Sequence, residues 1–299
     1  MYLSHYRLET RPFKTTPDPR FLWPGPHVRR TLSDLRSQLL TGKGFLLLTG
    51  EVGTGKTTLV NALASRLSDR IHFVRVTDPA LQALDLFNYL GAALDFGETF
   101  ESERAFYDRL AIRAAEAEWG EKKIVIVMDE AHRVNPRLLE EMWGGKGMDG
   151  VTRHRVMALL VGHDEFRELM QDRSNPFLRE RISVARTLRP LAENETAAYI
   201  RFQMRVAGSA KPYFSEEAMR TVHALSKGYP RRINIICDLA LVVGFVTGRR
   251  TITPELVRAC DTESGFPETG LAETLGNILS HPHHSGRALP QPRQPATCS

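Results

Sequence analysis

Unbroken apolar runs and runs with helical spacing alternate along the first two thirds of the chain. Residues 44–49 (Gly-Phe-Leu-Leu-Leu-Thr) read as a buried strand, and residues 56–67 then set Leu59, Leu63 and Leu67 at the spacing of one helix face. The same reading predicts strands at 71–76, 124–128 and 156–161. Helices are predicted at 27–40, 85–93, 104–119 and 136–142, the last capped by Asn135 with Pro136 in its first turn. Strands alternating with helices predict an α/β fold with a parallel sheet between helical layers. After Leu191 the pattern is helical only, with candidates at 193–206, 215–227 closed by Gly228, 232–246 and 254–260. The division expected is an N-terminal segment and helix (1–43), an α/β core (44–190), a small all-helical lid (191–264) and a tail (265–299).

Two stretches lie outside this alternation. Residues 11–26 carry Pro12, Pro17, Pro19, Pro24 and Pro26, which predicts an extended segment draped over the core. The tail is rich in Pro, His and polar residues, including His281-Pro282-His283-His284, and has little to bury, so it is expected to be disordered. Its histidines are read as incidental to metal binding.

The chemistry begins between the first strand and its helix. Gly50-Glu51-Val52-Gly53-Thr54-Gly55-Lys56-Thr57 meets every position of a phosphate-binding loop and is followed by Thr58. Glycines allow conformations that let successive N–H groups point at phosphate oxygens at a helix N-terminus. Lys56 is expected to reach the β- and γ-phosphates, and the Thr57 hydroxyl to ligate Mg²⁺. The strand at 124–128 ends in Asp129-Glu130-Ala131-His132, so two acids stand at the sheet edge where ligands bind. Asp129 suits the Mg²⁺ shell, and Glu130 suits polarising an attacking water, which predicts hydrolysis.

Composition narrows the setting. A chain of 299 residues with 42% hydrophobic content can bury a sizeable core. Cys237, Cys260 and Cys298 lack metal or redox spacing, so neither zinc nor disulfides are expected from them. The N-terminus has no signal-peptide core, and the longest apolar stretch, 233–246, is shorter than the roughly 20 residues of a membrane span and contains Asp238. A cytoplasmic protein is expected, peripheral to the inner membrane only through partners. The formal charge of +5 is compatible with nucleic acid or an anionic surface, but Arg and Lys are scattered; Arg153-His154-Arg155 and Gly248-Arg249-Arg250 read as solvated loop ends.

The opening Met1-Tyr2, Tyr6, Leu8, Pro12-Phe13, Thr16-Pro17-Asp18-Pro19 and Phe21-Leu22 resembles the N-terminal signature of ExeA-type AAA+ ATPases of general secretion and MSHA-type pilus biogenesis. The resemblance runs to about residue 262 and includes the phosphate loop, Asp129 to His132, Leu138-Leu139-Glu140-Glu141, Val161-Gly162, and residues 228–238. It implies ATP, because no guanine-specifying Asn-Lys-x-Asp occurs. It also implies a γ-phosphate sensor at His163, where the family usually carries Gln, and a second sensor at Arg231 of the lid. Arg179 and Arg181 lie where the family places arginines near a subunit boundary, implying a homo-oligomer in which one reaches a neighbour's site; a helix-surface pairing with Glu180 is the ordinary alternative.

The sequence departs from the family at Trp143 to Gly150, where three glycines at 144, 145 and 147 predict a loop instead of a continued helix. No membrane helix or periplasmic extension follows the lid, so a motor module or stand-alone relative is expected. Three functions fit these residues: an ATPase that drives or licenses assembly of a secretion or pilus apparatus, a DNA-associated AAA+ regulator acting with double-stranded DNA or a transposase, and a slow nucleotide switch.

Overall fold

The computed structural model describes residues 2–78, 80–115, 122–144, 150–171 and 176–260. Strands β1 (Phe45–Gly50), β2 (Ile71–Val76), β3 (Lys123–Met128), β4 (Val156–Val161) and β5 (Ile182–Leu188) form one sheet in the order β2-β3-β4-β1-β5. Every pairing is parallel. All five carboxyl ends therefore share one edge, and the segments after β1, β3 and β4 emerge there together.

Helices cover both faces of the sheet. Alternate residues of the central strands point to opposite sides: Phe45, Leu47, Ile124, Ile126, Ala158 and Leu160 join α4 (Ala83–Ala93), α5 (Glu103–Ala115) and α6 (Pro136–Trp143). Leu46, Leu48, Val125, Val127, Leu159 and Val161 instead meet α2 (Pro26–Thr41) and α3 (Lys56–Leu67). Burial on both faces is why β1, β3 and β4 are continuous apolar runs without polar alternation. Short helices α7 (Gly150–Arg155), α8 (Asp164–Gln171) and α9 (Pro176–Arg181) complete this part.

A second apolar cluster is built from α10 (Glu193–Val206), α11 (Glu216–Ser226), α12 (Pro230–Val246) and α13 (Pro254–Arg258). The N-terminal segment, beginning with α1 (Tyr2–His5), seats mainly on this cluster, with Leu22 reaching the apolar layer between the sheet and α2–α3. Its aromatics decide the placement. Tyr6 lies edge-on to Tyr213 with ring centroids 5.0 Å apart, and Phe13 edge-on to Phe214 at 5.9 Å. Asp238 accepts hydrogen bonds from the Tyr2 hydroxyl and from Arg11, both at 2.5 Å, and Asn234 Nδ2 donates to the Lys14 carbonyl at 2.8 Å. Asp238, read in the sequence as an interruption of an apolar helix, is the anchor of this strap.

Several expectations are corrected. Strand β5 was not foreseen, because Ser183, Arg186 and Thr187 interrupt its apolar pattern; each has a distant partner. Ser183 Oγ donates to Phe45 O at 3.0 Å, Arg186 pairs with Asp34 at 2.7 Å, and Thr187 Oγ1 hydrogen-bonds Thr49 Oγ1 at 2.8 Å. Helix α8 was likewise unread. Arg155 is not a solvated loop end: it lies in α7, and its Nη1 donates to Ala114 O at the end of α5 at 2.6 Å. Helix α6 ends at Trp143, as the glycines predict, while residues 145–149 and the tail with its histidines lie outside the described residues.

Candidate functional site

The loop between β1 and α3 owes its shape to its glycines. Gly50, Gly53 and Gly55 have φ of 146°, 84° and 97°, values that favour glycine. At Gly50 a Cβ would also stand 2.5 Å from the Leu188 carbonyl oxygen, so β1 and β5 approach too closely there for a side chain. Gly55 precedes α3 without a side-chain cap, and the first amides of a helix lack internal acceptors, so those of Lys56, Thr57 and Thr58 are donors without a helical partner. Donors grouped at the positive end of a helix dipole suit an anion.

Lys56 is folded into this loop. Its side chain is almost buried, and Nζ donates to Gly50 O at 2.7 Å and Glu51 O at 3.1 Å. Burial pushes its pKa down, opposed by the carboxylates of Glu130, Asp129 and Asp164. A bound anion would offset the same desolvation. Thr54 Oγ1 donates to Glu51 O at 2.8 Å and tightens the turn.

The acids stand beside this loop because of strand order. Asp129 leaves β3 with its N–H bonded to Val76 O at 3.2 Å, and Glu130 N–H donates to Asp129 Oδ1 at 3.2 Å. Glu130 occupies the left-handed region, φ 51° and ψ 39°, a conformation that costs a non-glycine residue about 1–2 kcal/mol. β4 lies between β1 and β3, so the residues that follow it, Gly162 and His163, fall between the loop and the acids. His163 Nε2 is 3.5 Å from Glu130 Oε2, and His132 Nε2 is 3.6 Å from the same oxygen. The sequence reading did not anticipate the contact with His132.

A cavity of about 370 Å³ gathers Val52, Gly53, Gly55, Lys56, Thr57, Thr58, Asp129, Glu130 and Arg231. Arg231 comes from the start of α12, and its N–H donates to Gly53 O at 3.2 Å. Two residues earlier, the Tyr229 hydroxyl bonds the Glu51 carboxylate, which raises the tyrosine pKa. The helical unit thus touches the loop at two backbone-adjacent points. Gly50 shapes the turn, while Arg179 and Arg181 stand elsewhere. Arg181 lies over the Phe177 ring at 4.4 Å and directly precedes the first residue of β5, at the opposite edge of the sheet. A seven-residue strand separates the edges by about 20 Å, beyond an arginine's reach within one subunit.

A second cavity, about 480 Å³, adjoins the first and shares Gly55, Thr58, Tyr199 and Pro230 with it. Its walls include Leu22, Trp23, Val28, Leu188, Leu191 and Tyr199. An apolar, aromatic-lined pocket beside a phosphate loop suits a flat nucleobase. Sequence reading missed it because it joins the proline-rich segment, α2, β5 and the lid; Trp23 among the prolines was its one visible sign.

Comparison with known proteins bears on the family and the fold. Residues 38–170 match the family model described as AAA domain. General secretion pathway protein A of Aeromonas hydrophila is 32% identical over 256 residues, covering 84% of this chain and 46% of that protein. The chain therefore spans about half the length of this curated relative. Among solved structures, ORC2 of Aeropyrum pernix in its ADPNP-ADP complexes is similar with TM-score 0.64 and 16% identity, over 85% of this chain and 72% of that one. Cdc6p of Pyrobaculum aerophilum gives 0.62 at 18%, over 85% and 73%. The Thermotoga maritima RuvB Holliday junction branch migration motor gives 0.54 at 19%, over 86% and 77%. At these identities the structural likenesses speak to fold alone.

Parallel strand order, phosphate loop and helical C-terminal unit are those of a nucleotide-binding P-loop AAA+ ATPase. Residues 38–170 carry the AAA domain, and the chain's resemblance to the ExeA-type proteins is borne out by the general secretion relative. Among the described residues no helix is long and apolar enough to cross a membrane.

Proposed function

We propose that the chain binds MgATP across the two cavities, hydrolyses it, and uses the cycle to drive or license assembly of a secretion or pilus apparatus. The observation that carries this reading is the convergence of Lys56, Thr57, Asp129, Glu130 and Arg231 on one cavity. The base lies against Trp23 and Tyr199, and the phosphates lie on the amides after Gly53 with Lys56 at the terminal groups. Thr57 and Asp129 would hold a magnesium ion through the hard oxygen donors it takes, and the ion would supply neutralisation of phosphate charge. Glu130 polarises the attacking water, and His163 orients the γ-phosphate side of the site. Arg231 links phosphate to the helical unit, a task suited to a guanidinium that can bind two oxygens at once.

The separation of Arg179 and Arg181 from their own cavity supports a homo-oligomer in which one of them completes a neighbour's site. Subunit mixing tests this. Glu130→Gln has no base but intact arginines; the Arg179→Ala/Arg181→Ala double variant has the reverse. Each alone is expected to be nearly inactive, and their mixture to recover phosphate release at the mixed interfaces. No recovery on mixing, or parental activity of the double variant alone, would remove the trans assignment.

The pathway rests on the Aeromonas relative, whose name places it in general secretion. A DNA-associated role is the second reading, favoured by the formal charge of +5. ATPase rates with and without double-stranded DNA at two salt concentrations separate the readings. The secretion reading predicts no stimulation and no binding that falls steeply with salt, whereas phosphate contacts would show both.

A further inference from the structure

Glu130, His132 and His163 place one donor atom each within 4.8 Å of one another. Both Nε2 to Oε2 separations, 3.6 and 3.5 Å, match the edge of a tetrahedral zinc site, whose ligands at about 2.0–2.2 Å from the ion lie roughly 3.3–3.6 Å apart. The two imidazoles lie edge to face, centroids 4.7 Å apart, with their donor atoms within 4.8 Å of each other. All three residues are held on short, fixed pieces of backbone. Glu130 is in the left-handed turn, His132 is in the single 3-10 turn Ala131–Arg133, and His163 stands two residues beyond the last residue of β4.

Two imidazoles and one carboxylate form a donor set for zinc-type ions and a poor one for magnesium, which takes oxygen. The fourth tetrahedral position is left to water. Each side chain is partly exposed, at 49%, 32% and 26% for Glu130, His132 and His163, so an ion can enter from solvent.

We propose that Glu130, His132 and His163 bind a zinc-type divalent cation, which holds the Glu130 carboxylate on the histidines and restrains hydrolysis without displacing nucleotide. The restraint rests on the role given to Glu130 above; the binding does not. A zinc-loaded chain would be a nucleotide-bound, non-hydrolysing state.

The test uses the full chain with His281→Ala, His283→Ala and His284→Ala as parent, so that the tail histidines do not contribute, and free metal held by a chelator buffer. Cobalt(II) is expected to give the visible absorption of a tetrahedral site in this parent and not in His132→Ala. Zinc affinity should fall about tenfold or more in His132→Ala. Phosphate release should fall with zinc in the parent, and His132→Ala should need correspondingly more zinc for the same fractional loss. His132→Asn serves as a second variant should His132→Ala not fold. Equal zinc affinity and no tetrahedral spectrum in parent and variants would overturn the site. A saturated site with undiminished phosphate release would overturn the restraint. A parent that releases no phosphate even under chelation would instead remove the hydrolysis reading, while the cobalt spectrum would still decide the site.

Discussion

Replacing Lys56 with alanine is expected to abolish measurable ATP binding. Lys56 is 9% exposed, and its ammonium satisfies the Gly50 and Glu51 carbonyl oxygens at the base of the loop. A terminal phosphate offers the same ammonium charge-assisted hydrogen bonds worth about 1.5–3 kcal/mol each. Two such bonds correspond to roughly 10²- to 10⁴-fold in affinity. The variant keeps its sheet, because the apolar residues of β1 and α3 that form the core are untouched; a circular dichroism spectrum like the parent's would confirm that. Titration with a fluorescent ATP analogue reads the affinity. A dissociation constant within threefold of the parent's would show that the loop does not hold phosphate through this side chain.

Glu130→Gln is expected to separate binding from turnover. Glutamine keeps the volume and one oxygen of the glutamate but cannot accept a proton from water. ATP affinity should stay near the parental value, while single-turnover phosphate release should slow by about 10²- to 10⁴-fold. Parental turnover in Glu130→Gln would make the assignment of the base wrong, whatever the state of nucleotide binding.

The parts of the molecule legible in sequence are those whose physics is local. β1, β3 and β4 are covered on both faces and therefore appear as apolar runs, and α3 follows its loop at the residues its spacing predicts. Loop and acidic pair were visible for the same reason: each is a contiguous motif at a strand end. β5 was invisible because the partners of Ser183, Arg186 and Thr187 lie 138 to 152 positions away. The base pocket was invisible because no one segment builds it, and the strap on the helical unit because its aromatics answer aromatics some two hundred residues on. His163 was placed from resemblance alone; the order β3-β4-β1 gives the physical reason it lies beside Glu130.

A structure of the wild-type chain with magnesium and a non-hydrolysable ATP analogue tests the central claim most directly. Nζ of Lys56 is expected to leave the Gly50 and Glu51 carbonyls and lie about 3 Å from a terminal phosphate oxygen. Thr57 and Asp129 should face one metal ion, and the base should stack beside Trp23 or Tyr199. A nucleotide bound elsewhere, with Lys56 still hydrogen-bonded to Gly50 and Glu51, would contradict the account.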